Sequence, residues 1–214
     1  MRNMSKYKVV LFDLDGTLIN TSEGIFNSVR HAEKMMGFDL VSDEQLNSFV
    51  GPPPVQSYMK NYGVTEEVAR EATKYHREYG AKYGIYEAAV YQGIPELLET
   101  LKESGVKLGV CTLKRQDIAE KVLAHFKLLE YFDVVVGIDQ QESLTKADTI
   151  DIALDAVKET NKENAALVGD SVYDAEGAEV AGVDFVGVLY GFGLKEEQRD
   201  YQTVQNVSEL INVL

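Results

Sequence analysis

From Pro95 onward the chain alternates short apolar runs with amphipathic stretches, and this alternation restricts its fold more than any other feature. "PELLETLKESG" has helical spacing, "VKLGVCT" reads as a strand, "RQDIAEKVLAHF" as a helix and "DVVVGI" as a strand. "KADTIDIALDAVKET" is a helix, "AALVGD" a strand, "YDAEGAEVAG" a helix and "DFVGVLY" a strand, and "VSELINVL" closes the chain as a short helix. Strands alternating with helices imply a parallel sheet with helices on both faces. Ligands of such sheets sit at the carboxyl ends of the strands.

One more strand, "KVVLFD", stands near the start and belongs with the later units. Between it and Pro95 nothing reads as a strand. Ile25, Phe26, Val29, Ala32, Met35 and Met36 form a helical stripe. "SDEQLNSFVG", with Ser42 as N-cap, "PPPVQSYMKNYG" and "TEEVAREATKYHREYGAKYG" are helical in pattern and punctuated by Gly or Pro. The expected fold class is therefore α/β: a Rossmann-like parallel-sheet core over residues 1–16 and 94–214, with an inserted all-helical domain over 17–93 standing above the carboxyl edge of the sheet.

Polar residues gather at the ends of these strands. Asp13 and Asp15 share a face, because side chains at i and i+2 of an extended chain point the same way. Two carboxylates about 4 Å apart repel by about 4 kcal/mol at an effective dielectric near 20. Thr17 follows them; Thr112 ends the next strand and Lys114 follows it, Asp170 ends "AALVGD" with Asp174 four residues on, and Lys146 opens the helix before that strand. If the sheet closes, four carboxylates, one ammonium and two hydroxyls converge. Carboxylates in such number require a cation. Oxygen-only ligands favour Mg²⁺, and a site with Mg²⁺, a lysine and hydroxyls suits phosphate.

Composition narrows the partners. The 214 residues are 45% hydrophobic, enough for a buried core, and the net charge is -14, which disfavours nucleic acid polymers and anionic membranes. No apolar run approaches the ~20 residues of a membrane helix, and the "VVLF" behind the basic start "MRNMSKYK" is too short for a secretory signal. A single cysteine, Cys111, excludes a disulfide framework and makes a cytoplasmic location the expectation. Without a secretory signal, the glycosylation-like patterns at Asn20 and Asn206 read as chance. The expected partner is a small phosphate monoester, and the expected assembly a monomer or weak homo-oligomer.

"DLDGT", a strand ending in Thr112, Lys146 and "GDSVYD" resemble, in order, the four motifs of the haloacid dehalogenase-like hydrolases. The resemblance spans essentially the whole chain, and the helical insert is similar to the cap of the phosphoglycolate phosphatase-like branch. It implies a Mg²⁺-dependent phosphatase. Asp13 would be the nucleophile that takes the phosphoryl group, and Asp15 the acid that protonates the leaving oxygen and then activates water. Asp13, Asp170 and the backbone carbonyl of Asp15 would bind the metal, with Asp174 holding its waters. Thr112 and Lys146 would grip the phosphoryl oxygens, with Gly16 and Lys114 beside them. "FVGPPP", "VYQGIPELL" and "GVLYGFG" look most like the 5'-nucleotidase-like group, with a nucleoside 5'-monophosphate as substrate; 2-phosphoglycolate or another small ester is the alternative. A phosphomutase, a dehalogenase or a non-catalytic binding protein of the same fold is a lesser one. Many relatives carry Asp-Ser where this chain has Asn20-Thr21, which touches the hinge rather than the chemistry. Gly51 and Pro52, in the stiff "GPPP" loop, are expected to approach the leaving group, with Lys114 and "YGFG" completing the wall from the core side.

Each feature also has a plainer reading. Asp13 and Asp15 could cap a turn at Gly16, Asp170 could cap the next helix, and Thr112 could be an ordinary strand end. Lys146 and Lys114 could be solvated charges, and "GPPP" could only join two helices. His31, His76 and His125 lack ligand spacing, Cys111 reads as a small core hydrophobe, and Tyr75, Tyr79 and Tyr83 read as a packed helix face.

Overall fold

A computed structural model describes residues 5–139, 143–194 and 200–214; the first four residues of the basic N-terminal segment lie outside them. The chain divides into two compact units, one of Met1–Ile19 with Val90–Leu214 and the other of Asn20–Ala89.

The elements of the chain run β1 (Val9–Phe12), β2 (Ile19–Asn20), α1 (Ser22–Met36), α2 (Asp43–Asn47), α3 (Pro54–Tyr62), α4 (Glu66–Lys82), β3 (Ala89–Val90), α5 (Ile94–Glu103), β4 (Lys107–Arg115), α6 (Gln116–His125), β5 (Val134–Ile138), α7 (Lys146–Ala156), β6 (Ala165–Gly169), α8 (Val172–Ala181), β7 (Asp184–Val188), β8 (Gln202–Val204) and α9 (Val207–Leu210). In the first unit six strands form one sheet in the order β5-β4-β1-β6-β7-β8, with every neighbouring pair parallel. The sheet is the expected α/β one, and all five strands read from the apolar runs are in it.

The chain lays β4 and β5 on one side of β1, then crosses to place β6, β7 and β8 on the other. That reversal puts the carboxyl ends of β1, β4 and β6 at a topological switch point, where open α/β sheets bind ligands. β1 and β6 are buried along their whole length, so they read as unbroken apolar runs. Val9 and Leu11 pack with Cys111, Leu167, Ile150, Leu154 and Ala178 into one core cluster, under α7 and α8. Cys111 is thus a buried core residue.

Two small pairings escaped the sequence. β8 is three residues with only Val204 buried, too short and too polar to show a period. β2 and β3, two residues each, pair as a separate ribbon, so the stretch before Pro95 is not free of strands. Among the described residues no helix is long and apolar enough to cross a membrane.

The second unit is built on α1 to α4. Ser42 caps α2 as expected, in a reciprocal capping box with Gln45. Val29, Ala32, Leu46, Phe49, Tyr58, Ala69 and Ala72 make its core, with Ile25, Phe26, Met36 and Tyr75 packed against it. Met35 departs from the expected stripe and is half exposed. The tyrosine stripe is also divided: Tyr79 donates to Glu87 Oε1 at 3.0 Å, while Tyr83 is half exposed. His31 stacks on Tyr79, and His76 Nδ1 lies 3.2 Å from the Tyr58 hydroxyl.

A carboxylate with no exposure, Glu33, sits inside this helical unit. Arg30 holds both its oxygens at 2.9 and 3.0 Å, the Val41 N–H donates to it at 2.8 Å and the Tyr62 hydroxyl at 2.7 Å. Removing one side of such a pair strands the other, at about 3 kcal/mol or more. Glu33→Ala is therefore expected to lower stability by about 3 kcal/mol, and Tyr62→Phe, which removes one hydrogen bond, by about 1 kcal/mol. Urea unfolding of the two variants checks both the size and the order.

Candidate active site

The site grows from the end of β1. One residue beyond the strand, the Asp13 N–H still donates to Val168 O at 2.8 Å, so β6 holds the Asp13 backbone as if the strand continued. Leu14 turns into the core with no exposure, which leaves Asp13 and Asp15 on the same side. Gly16 closes the turn with its N–H on Ile19 O at 2.8 Å. Its φ of +84° is left-handed, and a Cβ there would collide with the Asp170 carboxylate and come within 2.8 Å of the Phe192 ring. Glycine is required on both grounds.

Asp170 ends β6 and is almost fully buried. The N–H of Phe192 donates to its Oδ2 at 2.7 Å, and the N–H of Gly193 also bonds it. Thr17 Oγ1 reaches its Oδ1 only at 3.5 Å. Gly191 lets this turn approach: a Cβ there would lie 2.5 Å from Asp170 Oδ2 and from Gly16 O. The "YGFG" turn, expected as a wall, thus holds a carboxylate in place, and Tyr190 secures it by donating to Thr17 O at 2.9 Å.

Asp174 is fixed by the start of α8. Ser171 caps the helix, and Asp174 Oδ2 accepts from the Ser171 hydroxyl at 2.6 Å and from its N–H at 3.0 Å, a reciprocal capping box. Its Oδ1 faces Lys146 Nζ at 2.6 Å. Lys146 opens α7 behind the N-cap Thr145. Its ammonium also donates to Asp13 Oδ1 at 2.5 Å and to Cys111 O at 2.6 Å. Lys146 is thus a buried ammonium with three partners, not a solvated charge.

Thr112 and Lys114 lie near the end of the long strand β4, which does not stop at Thr112 as expected but runs on to Arg115. Thr112 is buried, and its Oγ1 accepts from the Lys114 N–H at 3.1 Å, which leaves the hydroxyl proton to donate elsewhere. Lys114 Nζ pairs with Asp15 Oδ2 at 2.9 Å. Gly51 and Pro52 belong to the second unit. There Gly51 has φ +100°, Pro53 is the N-cap of α3 and Pro54 its first residue, so the loop at least starts a helix.

Asp13, Asp170 and Asp174 each offer a carboxylate oxygen within 4.8 Å of the others. Burial holds the Asp13 carboxyl well above its usual range, with the charges of Asp174, Asp170 and Asp15 adding to it and Lys146 opposing. Burial likewise pushes Asp170 up to about 7. Burial pulls Lys146 down, but the carboxylates of Asp13 and Asp174 outweigh it and hold the ammonium above its ordinary value. Three carboxylates against one ammonium is an excess of buried negative charge that a divalent cation would relieve. The donors are all oxygen, the set for a hard cation such as Mg²⁺. The Asp15 side chain is outside this group of three; its Oδ1 is buried and has no partner among the described residues.

Within "VYQGIPELL" the sequence did not single out Tyr91, whose hydroxyl is likewise buried and unpartnered among the described residues, and whose ring lies 4.7 Å from that of Tyr190. It also missed the Phe192 and Gly193 N–H groups and the Cys111 carbonyl. These are main-chain groups, and the two glycines flanking Phe192 were the available signal.

The family model described as haloacid dehalogenase-like hydrolase matches residues 10–188. A 5'-nucleotidase of Pseudomonas aeruginosa is 37% identical over 206 residues, covering 96% of this chain and 93% of its own length. Pyrophosphatase PpaX of Bacillus cereus is 31% identical, covering 98% and 97%. The solved structure of a haloacid dehalogenase-like family hydrolase from Streptococcus pneumoniae superposes with a TM-score of 0.89 at 29% identity, covering 98% of this chain and 99% of its own.

Proposed function

The chain belongs to the haloacid dehalogenase-like hydrolases and is a phosphatase of that family; from this premise we propose that it is a Mg²⁺-dependent phosphomonoesterase that works through an aspartyl phosphate on Asp13. One observation carries the reading: Asp13, buried at the end of β1, has one oxygen tied to Lys146 at 2.5 Å and lies within 4.8 Å of Asp170. The ammonium fixes one oxygen of Asp13, and the other attacks phosphorus. The new bond is Asp13 O–P, and the bond broken is P–O to the leaving group, whose oxygen takes a proton from Asp15. Asp15 then takes a proton from water, the water oxygen attacks phosphorus, and the Asp13 O–P bond breaks to release inorganic phosphate. Splitting one displacement into two is the benefit of the carboxylate nucleophile. Thr112 has a hydroxyl proton to give a phosphoryl oxygen.

Asp13, Asp170 and the backbone carbonyl of Asp15 would hold Mg²⁺, with Asp174 orienting its waters. A bound Mg²⁺ supplies positive charge against the carboxylates and the phosphoryl oxygens. The oxygens of Asp174 are already committed to Ser171 and Lys146, which suits an outer role.

A nucleoside 5'-monophosphate is the proposed substrate, supported by the 5'-nucleotidase relative and by the "GPPP" and "GVLYGFG" segments. The pyrophosphatase relative makes pyrophosphate the competitor, and 2-phosphoglycolate is a third choice. A panel of these phosphates, assayed with Mg²⁺ and with EDTA, tests the reading. The expected result is the highest kcat/KM for a nucleotide and loss of activity in EDTA. A higher value for pyrophosphate or phosphoglycolate overturns the substrate, and full activity in EDTA overturns the metal. Replacing Pro52, Pro53 and Pro54 by glycine is expected to change the ranking of substrates and leave Mg²⁺ affinity unchanged, because a stiff loop gains order at little entropic cost. An unchanged ranking on the same panel makes the loop a connector only.

A further inference from the structure

β4 is the longest strand of the sheet and runs past its neighbour: pairing with β1 ends at Phe12 opposite Val110, yet the strand continues to Arg115. Its register with β5 shifts between Cys111 and Arg115. The Gln116 side chain fills the gap, accepting from the Gly137 N–H at 2.6 Å and donating to Val135 O at 3.1 Å. Gly137 is held to glycine, since a Cβ would lie 2.6 Å from Lys114 O. On the other side the Lys114 N–H is bonded to Thr112 Oγ1. The backbone of Lys114 is thus held on one side by Gln116 and Gly137, which take no part in the chemistry, and on the other by Thr112.

From this mount Lys114 reaches Asp15 Oδ2 at 2.9 Å, with the two side chains only 20% and 16% exposed. This is not a surface ion pair of little consequence. Lys146 does not substitute for it, because the contacts of that ammonium are Asp13, Asp174 and Cys111 O. Asp15 keeps its other oxygen, Oδ1, buried and without a partner among the described residues.

We infer that Lys114 is a positioning residue for Asp15: it pins Oδ2, presents Oδ1 as the oxygen that carries the proton, and keeps the Asp15 carboxylate from turning into the acidic group of Asp13, Asp170 and Asp174. This rests on the proposed role of Asp15 as acid and base. It differs from the sequence-based expectation that Lys114 stands beside the phosphate and lines the substrate wall. A lysine that serves Asp15 matters most where the leaving oxygen needs a proton, and little where it leaves unaided. A lysine that binds phosphate matters equally in both cases.

The test compares p-nitrophenyl phosphate, whose phenolate leaves without help, with an alkyl phosphate, whose alkoxide does not. Asp15→Asn, Lys114→Met, Lys114→Arg and the double variant Asp15→Asn/Lys114→Met are assayed on both, with thermal unfolding to confirm that each is folded. General acid catalysis contributes roughly 10²–10⁴-fold, and losses through a supporting residue are roughly 10–100-fold. Asp15→Asn is expected to lose at least about 100-fold more kcat/KM on the alkyl phosphate than on p-nitrophenyl phosphate, and Lys114→Met at least about tenfold more, kcat/KM being the quantity that reports transfer to Asp13 and not the hydrolysis step both substrates share. Lys114→Arg should recover most of that loss. The double variant should be no worse than Asp15→Asn alone, since the lysine acts through the carboxylate. If Asp15→Asn discriminates between the two substrates but Lys114→Met raises KM alike for both, or changes nothing, the inference is overturned and the reading of Asp15 stands. If Asp15→Asn itself does not discriminate, the acid–base reading fails and the inference falls with it.

Discussion

Asp13→Asn is expected to abolish turnover, with a loss of at least about 10⁴-fold in kcat for every phosphomonoester, and to leave the fold intact. The amide does not attack phosphorus, and it removes one negative charge from the acidic group. The change is nearly isosteric at a position whose backbone is held by β6 through the bond to Val168 O. It also removes an excess charge from a group in which burial already disfavours ionisation. The thermal midpoint should therefore be unchanged or higher when no metal is added. Retention of more than a few per cent of activity, measured on purified protein, would remove Asp13 from the role of nucleophile.

The second large effect is expected at the metal. Asp170 and Asp174 are both buried carboxylates near Asp13, but their oxygens are differently occupied. Asp174 gives one oxygen to the cap of α8 and the other to Lys146. Asp170 accepts the Phe192 N–H on Oδ2 at 2.7 Å, and the contact of Thr17 on its Oδ1 is long, at 3.5 Å. Asp170 thus has an oxygen with only a long contact to give a cation, whereas both oxygens of Asp174 already carry short bonds. Asp170→Asn is expected to raise the Mg²⁺ concentration for half-maximal activity by more than about 100-fold, and Asp174→Asn by roughly 10–100-fold. Titration of activity with Mg²⁺ in the two variants measures the difference, and equal shifts would contradict this division of labour.

Much of this arrangement was legible in the sequence for a simple reason. Strands buried on both faces write themselves as apolar runs, as "VVLF" and "AALVG" do, and the residue that follows such a run stands at the sheet edge where ligands bind. Asp13, Thr112 and Asp170 could be placed in this way, and Lys146 and Asp174 by their positions at helix starts. Groups that carry no side-chain signature could not. The Phe192 N–H on Asp170 and the Cys111 carbonyl on Lys146 are main-chain contacts. β8 is too short to show a period, and the partner of Lys114 depends on a register shift in β4 that Gln116 and Gly137 sustain across the sheet. Met35 followed the helical period yet lies half exposed, because a stripe fixes which face is apolar and not how far the neighbouring elements extend over it.

The central claim is that the phosphoryl group passes through Asp13. The direct measurement is acid quenching of the enzyme during turnover, followed by peptide mass spectrometry for a phosphoryl adduct. The expected result is one phosphoryl group on the peptide containing Asp13, more of it in Asp15→Asn, where water is no longer activated, and none in Asp13→Asn. A phosphoryl group on any other residue, or its absence from Asp15→Asn while a burst of leaving group is still released, would contradict the claim.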